Sequence, residues 1–242
     1  MKLPAVHGII DRRILVKFTA DPGFVRKIIP DPFRPKLYNG KSIVGICLIQ
    51  LKNITLKGWP AFTGVSSENA AHRIAVEWEE GNETREGVYI PRRDTSLRLN
   101  SILGGRLFPG KHHLTKFNVR EENGNYHVDF TGSDKNSLSV DARETPCFNP
   151  NSLFGTLENV SDFFKKGTIG YSPNNRNYEG LKLEIYKWQV RPLEILSLHS
   201  DFYQNGKLFP EGSVQFDNAL LMTGAEHEWK SLPDKEWCDS KT

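Results

Sequence analysis

The stretch that decides the fold is Phe18–Phe33, which reads FTADPGFVRKIIPDPF. A strand-like segment leads into it, and Asp21 can cap a helix whose first position is Pro22, where a missing amide hydrogen costs nothing. Apolar residues then recur at helical spacing, and Pro30 and Pro32 prevent the helix from continuing. The pattern predicts a short helix between two extended segments.

Most of the remaining chain is predicted to be β-strand, from apolar runs and from alternation of apolar and polar residues. The predicted strands are residues 13–18, 42–52, 71–80, 84–90, 114–122, 126–131, 181–190 and 193–203. Asn123-Gly124 lies between two alternating runs and indicates a tight hairpin. The last two strands are expected to pair with each other. Consecutive hairpins without long helices between them favour a mainly β fold, with an antiparallel sheet that is closed or nearly closed, or stacked on itself.

Two further helices are predicted. One begins at Asp94 or Thr95 and runs to Leu103, where two glycines stop it. The other spans Asn151–Lys166, with Asn151 as its cap, apolar residues at helical spacing and Gly167 as its end. We expect these few helices to lie outside the sheet.

Length and composition describe one soluble globular domain. The 242 residues are 38% hydrophobic and 25% charged, with a net charge of +3. We expect a single domain over residues 1–230, a polar loop at 172–180 and a frayed tail at 231–242. Adjacent basic residues form only isolated pairs and no longer clusters, which argues against a nucleic-acid partner. The sequence also lacks the glycine-rich phosphate loops and the serine elbow of common enzyme classes.

Several features bear on location and cofactors. No stretch approaches the ~20 apolar residues of a membrane span, and the first residues lack the apolar region of a secretion signal. Cys47, Cys147 and Cys238 are widely spaced, without a Cys-x-x-Cys motif. They favour neither a disulfide framework nor a zinc site. We expect a cytoplasmic protein without membrane partner, metal or cofactor.

Ser66–Arg73 is the first candidate site. It is predicted to be a polar loop that leads into a strand, with Glu68 and Arg73 five residues apart. One interpretation is an ion pair at the protein surface, which contributes little to stability. The other is a functional site, because polar loops on a rigid sheet often carry function.

Gly104–His113 is the second candidate site. Arg106, Lys111, His112 and His113 crowd cationic groups into a glycine-rich turn. One interpretation is a helix end followed by a solvated loop. The other is a reactive lysine, because neighbouring cations disfavour the protonated amine and free it as a nucleophile.

Taken together, these segments resemble the acetoacetate decarboxylase superfamily over roughly residues 10–200. Residues 13–33 resemble its first strand and helix, and Ser67-Glu68-Asn69 falls where the decarboxylases carry an active-site glutamate. Gly105-Arg106 followed by Pro109 resembles the motif that holds the Schiff-base lysine. Where that motif has two lysines directly after the proline, this chain has Gly110-Lys111-His112-His113. Residues 86–95 look closer to the uncharacterised bacterial and archaeal branch.

The resemblance implies a closed, cone-like antiparallel β-barrel with a few peripheral helices, an internal ligand cavity and a homo-oligomer. The decarboxylase is a known example of a lysine activated by desolvation and by cationic neighbours. In this chain the resemblance makes Lys111 the nucleophile and Glu68 the group that handles protons. The substrate-binding candidates are Arg12, Arg13, Arg73, Arg106, His112 and His113.

Three functions remain open. The chain is a Schiff-base lyase acting on a small β-keto acid, or a barrel that binds a small organic acid or carbonyl compound without covalent chemistry. The third possibility is a structural barrel whose interior is filled with side chains. The volume of the interior cavity distinguishes the third function from the other two.

Overall fold

The computed structural model describes residues 5–97, 110–174, 177–204 and 206–234. The strands are β1 (Val6–Ala20), β2 (Arg34–Pro35), β3 (Leu37–Tyr38), β4 (Lys41–Leu56), β5 (Val65–Glu80), β6 (Glu83–Thr95), β7 (His112–Glu122), β8 (Asn125–Gly132), β9 (Ser137–Glu144), β10 (Ile169–Asn174), β11 (Asn177–Ile185), β12 (Arg191–Ser200) and β13 (Val214–Ser231). The helices are α1 (Pro22–Ile28), α2 (Leu157–Lys166) and α3 (Asp201–Gln204), with a 3-10 turn at Ala61–Thr63. Within the described ranges, none of these helices has the length and apolar character to cross a membrane.

The strands form one hydrogen-bonded sheet that closes into two rings. The first ring runs β13–β1–β4–β5–β6–β10–β11 and returns to β13. The second ring leaves β6 through β7, β8, β9 and β12 and also returns to β13. Both rings therefore share β13, β1, β4, β5 and β6, which we call the shared wall. The mainly β, closed antiparallel fold class is confirmed, although β6 pairs with β7 and with β10 in parallel.

Alternation along the shared wall places successive side chains in different cores. On β1, Ile14 and Val16 belong to a core that also contains apolar residues of β8, β9 and α1. Leu15 belongs to the other core, inside the first ring, with Leu181 of β11 and Val160 of α2. The wall is thus buried on both of its faces.

Helix α1 follows the prediction from the sequence. The Asp21 side chain accepts hydrogen bonds from the amides of Gly23 (2.8 Å) and Phe24 (3.3 Å). Val25 and Ile29 are buried in the core on the second-ring side, and Ile29 already has extended backbone angles that end the helix. The cap, the apolar face and the stop all act within a few residues, so the sequence alone predicts them.

The predictions for the other two helices were wrong at their starts. Asp94 and Thr95 end strand β6, and residues 98–103 lie outside the described ranges. Helix α2 begins at Leu157, where the Thr156 hydroxyl accepts from the Asn159 amide at 3.2 Å. Residues 151–155 instead form turns that Asp217 of β13 anchors, a distant partner that local pattern does not reveal.

Predictions for strands, loops and the tail also need correction. Strand β5 begins at Val65, so residues 66–73 are strand and not loop. The predicted loop at 172–180 contains parts of β10 and β11, which pair with each other. Strands β11 and β12 do not pair with each other, because both pair with β13. Residues 201–203 begin helix α3. Strand β13 extends to Ser231, and residues 235–242 of the predicted tail lie outside the described ranges.

Candidate functional site

A cavity of about 70 Å³ lies inside the first ring. This volume is about five times the ~15 Å³ that one water molecule needs, so a compound of a few non-hydrogen atoms fits. The apolar part of its lining comes mainly from Ile49, Leu51, Ala71, Val88, Ile90, Leu181, Leu183 and Trp229. The polar part comes from Asn69, Arg73, Arg93, Asp94, His112 and Thr168.

Two arginines dominate the charge of the cavity. Arg73 projects from β5 and Arg93 from β6, and among the described residues neither pairs with a carboxylate. The Arg93 Nε donates to the Ser172 hydroxyl at 2.9 Å. Burial, followed by the neighbouring charge of Arg73, lowers the pKa of Arg93 to about 9. Burial likewise lowers the pKa of Arg73. An anion placed between two such poorly hydrated cations stabilises both of their charges.

Three more ionisable groups lie beside Arg73 on the same face of the shared wall. Arg13 is only 4% exposed, and its Nε donates to the Cys47 Sγ at 3.3 Å. Lys17 is 3% exposed, with its Nζ 3.8 Å from the centre of the Phe164 ring. Burial, followed by the charge of Arg73, holds the pKa of Lys17 well below its ordinary value. For Cys47, burial raises the pKa of the thiol, but the charges of Arg73 and Arg13 outweigh it and lower that pKa.

Gly45 explains how the long Lys17 side chain fits on the wall. The register places Lys17, Gly45 and Arg73 side by side on β1, β4 and β5. A Cβ atom at Gly45 would lie 3.1 Å from the Lys17 Cδ and only 2.4 Å from the Val16 carbonyl oxygen. The missing side chain therefore leaves the space that Lys17 occupies beside Arg73.

Asp94, which lines the cavity, already has a cation partner. It is buried, and its carboxylate accepts from Arg92 at 2.7 Å and 2.9 Å. Arg92 also binds Asp134, in the turn between β8 and β9. Burial raises the pKa of Asp94 despite this partner. Burial also lowers the pKa of the neighbouring His113.

The structure separates Arg12 and Glu68 from the cavity residues. Arg12 is 1% exposed and forms ion pairs with Glu68 and with Glu121 of β7. The expected ion pair between Glu68 and Arg73 is wrong, because residues an odd number of positions apart on a strand point to opposite faces. Burial raises the pKa of Glu68, while the nearby Arg12 charge opposes the shift. Of the predicted residues, Arg13, Arg73 and His112 share the cavity side.

Lys111 is exposed and immediately precedes His112, which lines the cavity. Gly110 before it is buried, with a positive φ of 86°, and its amide donates to Glu179 at 2.6 Å. A Cβ atom there would lie 2.4 Å from the Ser172 Cβ, so glycine is required at this close approach. Arg106 lies outside the described ranges. The catalytic roles of Lys111 and Glu68 stay predictions.

Sequence reasoning missed Lys17, Cys47 and Arg93. A signal for Lys17 was present, because it lies within Ile14-Leu15-Val16-Lys17-Phe18, an apolar strand where a charged side chain implies special surroundings. Cys47 lies in a similar apolar run. In the part of the chain that the structure describes, no group of three His, Cys, Asp or Glu side chains could hold a metal ion.

Comparison with solved structures identifies the fold. An acetoacetate decarboxylase-like enzyme from Sphingomonas wittichii RW1 superposes with a TM-score of 0.62 at 10% identity, covering 99% of this chain and 94% of that one. Acetoacetate decarboxylase from Legionella pneumophila gives 0.55 at 16% identity, covering 96% and 88%. The enduracididine biosynthesis enzyme MppR, complexed with pyruvate, gives 0.56 at 10% identity, covering 99% and 92%. At these identities the likeness establishes the fold alone.

Comparison by sequence identifies the family. No curated protein matches the chain. The predicted acetoacetate decarboxylase-like fold is confirmed by these structures, and the prediction of an uncharacterised family is confirmed by one family model. Residues 10–219 match the DUF2071 model, described as an uncharacterized conserved protein, and the chain therefore belongs to this family.

Proposed function

We propose that this protein binds a small organic acid in the cavity of the first ring, with the carboxylate between Arg73 and Arg93. The observation that carries the proposal is the pair of half-buried guanidinium groups that line the cavity, neither of which forms an ion pair with a carboxylate among the described residues. Planar guanidinium groups match the geometry of a carboxylate and bind it strongly where water is excluded. A bound acid would add a negative charge between the two guanidinium groups.

The lining favours a short acid with an apolar or carbonyl-bearing chain. Ile90, Leu181 and Trp229 offer apolar surface around the arginines, and the volume of about 70 Å³ limits the ligand to a few non-hydrogen atoms. Small 2-oxo and 3-oxo acids meet both conditions. The pyruvate complex of MppR, which shares this fold, supports the same ligand class.

Imine formation with the bound acid is a second candidate function, favoured by the surroundings of Lys17. A buried lysine beside other cations loses its proton readily, and the free amine attacks a carbonyl carbon, forming an imine and releasing water. In the iminium of a 3-oxo acid, the carbon that carries the carboxylate is bonded to the iminium carbon, so the C=N⁺ group takes up the electron pair of the breaking C–C bond as CO₂ departs, forming an enamine. Lys17 has these surroundings. Lys111 and Glu68 remain the candidates implied by the resemblance.

Binding is tested by calorimetric titration with pyruvate and acetoacetate, and with the methyl ester of each acid. We expect the acids to bind and the uncharged esters to bind at least about tenfold more weakly, because a charge-assisted contact is lost. Arg93→Met should weaken acid binding by a similar factor, whereas Arg85→Met, at an exposed surface pair, should leave it unchanged. Equal binding of acid and ester would refute the proposal.

Imine formation is tested by borohydride reduction in the presence of each acid, followed by peptide mapping. An adduct on Lys17 that is lost in Lys17→Met supports the second function through Lys17. An adduct on Lys111 instead assigns the reaction to the lysine that the resemblance implies. Binding without any adduct rejects the lyase function and leaves acid binding in place.

A further inference from the structure

Cys47 has surroundings unlike those of a cysteine that only fills a core. Its sulfur is fully buried and accepts from the Arg13 Nε at 3.3 Å. The Arg13 Nη1 is buried without a hydrogen-bond partner in the described ranges. Buried structural cysteines pack among apolar groups and are inert. Here a charged donor contacts the sulfur.

The charges around Cys47 are unbalanced. Arg13, Lys17 and Arg73 all act on the Cys47 sulfur, and across the described part of the chain no carboxylate pairs with any of the three. The sulfur is the one group among these four that can become negative. Cations near a cysteine stabilise its thiolate over its thiol, and they also attract a small anion toward the sulfur.

The position of Cys47 gives it a route to ligands. It lies directly across from Ala71 of β5, and Ile49 follows it on the same face of β4. Ala71, Ile49 and Arg73 all line the cavity, so Cys47 is a strand neighbour of the cavity lining on the same face of the wall. Attack by the sulfur on a compound in the cavity requires a side-chain movement that opens this contact.

We propose that Cys47 is a nucleophilic thiolate and a covalent attachment site for small carboxylic acids that carry an electrophilic carbon. With a 2-halo acid, the sulfur forms a bond to the carbon while the carbon–halogen bond breaks and the halide leaves with the electron pair. With an α,β-unsaturated acid, the sulfur bonds to the β-carbon, and the α-carbon takes up the electron pair and then a proton from water. The site uses the cavity but does not depend on the acid proposed above.

The test compares iodoacetate, which is anionic, with iodoacetamide, which is neutral and of nearly the same size. Exposed Cys147 in the same folded protein serves as the internal reference, and tryptic peptides 42–52 and 144–165 separate the two thiols. We expect the ratio of the iodoacetate rate to the iodoacetamide rate to be at least about tenfold higher at Cys47 than at Cys147. Equal ratios, or an unmodified Cys47 after Cys147 has reacted fully, would overturn the proposal.

Variants at Arg13 separate charge from packing. Arg13→Gln removes one cation and should lower the Cys47 ratio about tenfold, whereas Arg13→Lys keeps the charge and should restore most of it. Circular dichroism checks that each variant is folded. If Arg13→Gln does not fold, Lys17→Met removes a different cation and should lower the ratio in the same direction. A ratio unchanged in the folded variants contradicts the proposal.

Discussion

Arg12 and Arg13 are consecutive residues, yet their guanidinium groups lie on opposite faces of the shared wall. Arg12 pairs with Glu68 and Glu121 on the second-ring side, whereas Arg13 donates to Cys47 inside the first ring. Successive side chains of a strand point to opposite faces of the sheet, so the two guanidinium groups cannot share a site. Substitutions at the two positions should therefore affect different properties of the protein.

Arg12→Met should destabilise the protein by about 3–5 kcal/mol, because it leaves the largely buried Glu68 carboxylate without its cation. Urea unfolding monitored by tryptophan fluorescence measures this loss. The double variant with Glu68→Gln should recover part of it, since the unpaired charge is then removed. Arg85→Met, at an exposed pair, should change the free energy of unfolding by less than about 1 kcal/mol. A similar loss in the free energy of unfolding for Arg12→Met and Arg85→Met would contradict the explanation from the buried ion pair.

His72 should make the protein sensitive to acid. Its ring is fully buried, 4.3 Å from the Phe202 ring, and burial lowers its pKa from 6.5 to about 3. Because the unfolded chain takes up the proton first, the stability that the neutral ring provides is present above pH 6.5 and is lost as the pH falls toward 3. The free energy of unfolding of His72→Phe, relative to that of the parent, should therefore be higher at about pH 4.5 than at about pH 7.5. An equal difference in urea midpoint at both pH values would refute this.

His127 should produce the opposite slope. Its Nδ1 lies 2.6 Å from Asp141 and its Nε2 lies 2.6 Å from Asp129. The hydrogen bond to Asp141 is the main cause that raises the pKa of His127 above 6.5. The stability that protonated His127 contributes is fully present below the pKa of histidine in the unfolded chain. It is lost as the pH rises through the pKa of His127 in the folded protein. His127→Gln should cost more stability at about pH 5.5 than at about pH 9, as measured by thermal unfolding. A cost that does not depend on pH would count against the charged pair.

Gly45→Ala should destabilise the protein by about 1–3 kcal/mol, because the new methyl group meets the backbone of the neighbouring strand. The Cβ atom would lie 2.4 Å from the Val16 carbonyl oxygen, which cannot move without separating β1 from β4. Gly167→Ala is the matched control, since its Cβ would meet the nearest atom at 3.6 Å and its φ of −78° suits alanine. Differential scanning calorimetry of the two variants compares them. Equal melting temperatures would show that β1 and β4 tolerate the methyl group.

The sequence predicts this structure where the causes are local. Asp21, Pro22 and Pro30 act within one short segment, so α1 is predicted correctly. Strand β10 depends on a distant partner, because its Gly170 and Tyr171 pair in parallel with Val88 and Tyr89 of β6. No local pattern in a segment rich in proline and asparagine reveals that contact.

The candidate site is predictable only in part for the same reason. Arg13, Arg73 and His112 are found from the resemblance and from their charge. The partners that give Lys17 and Cys47 their chemistry come from three different strands, so their proximity follows from register. Register depends on the whole sheet rather than on either residue's neighbours in the chain.

The shared wall has a consequence for how this fold can diversify. Neighbouring positions on one strand serve separate interiors, so the charge and shape of the cavity can be altered while the opposite core keeps its packing. Replacing residues 13, 17, 47 and 73 would change the interior of the first ring, while Ile14, Val16 and Ile46 on the other face would continue to stabilise the fold. The interior of one ring can therefore change through mutation while the second ring preserves a folded protein.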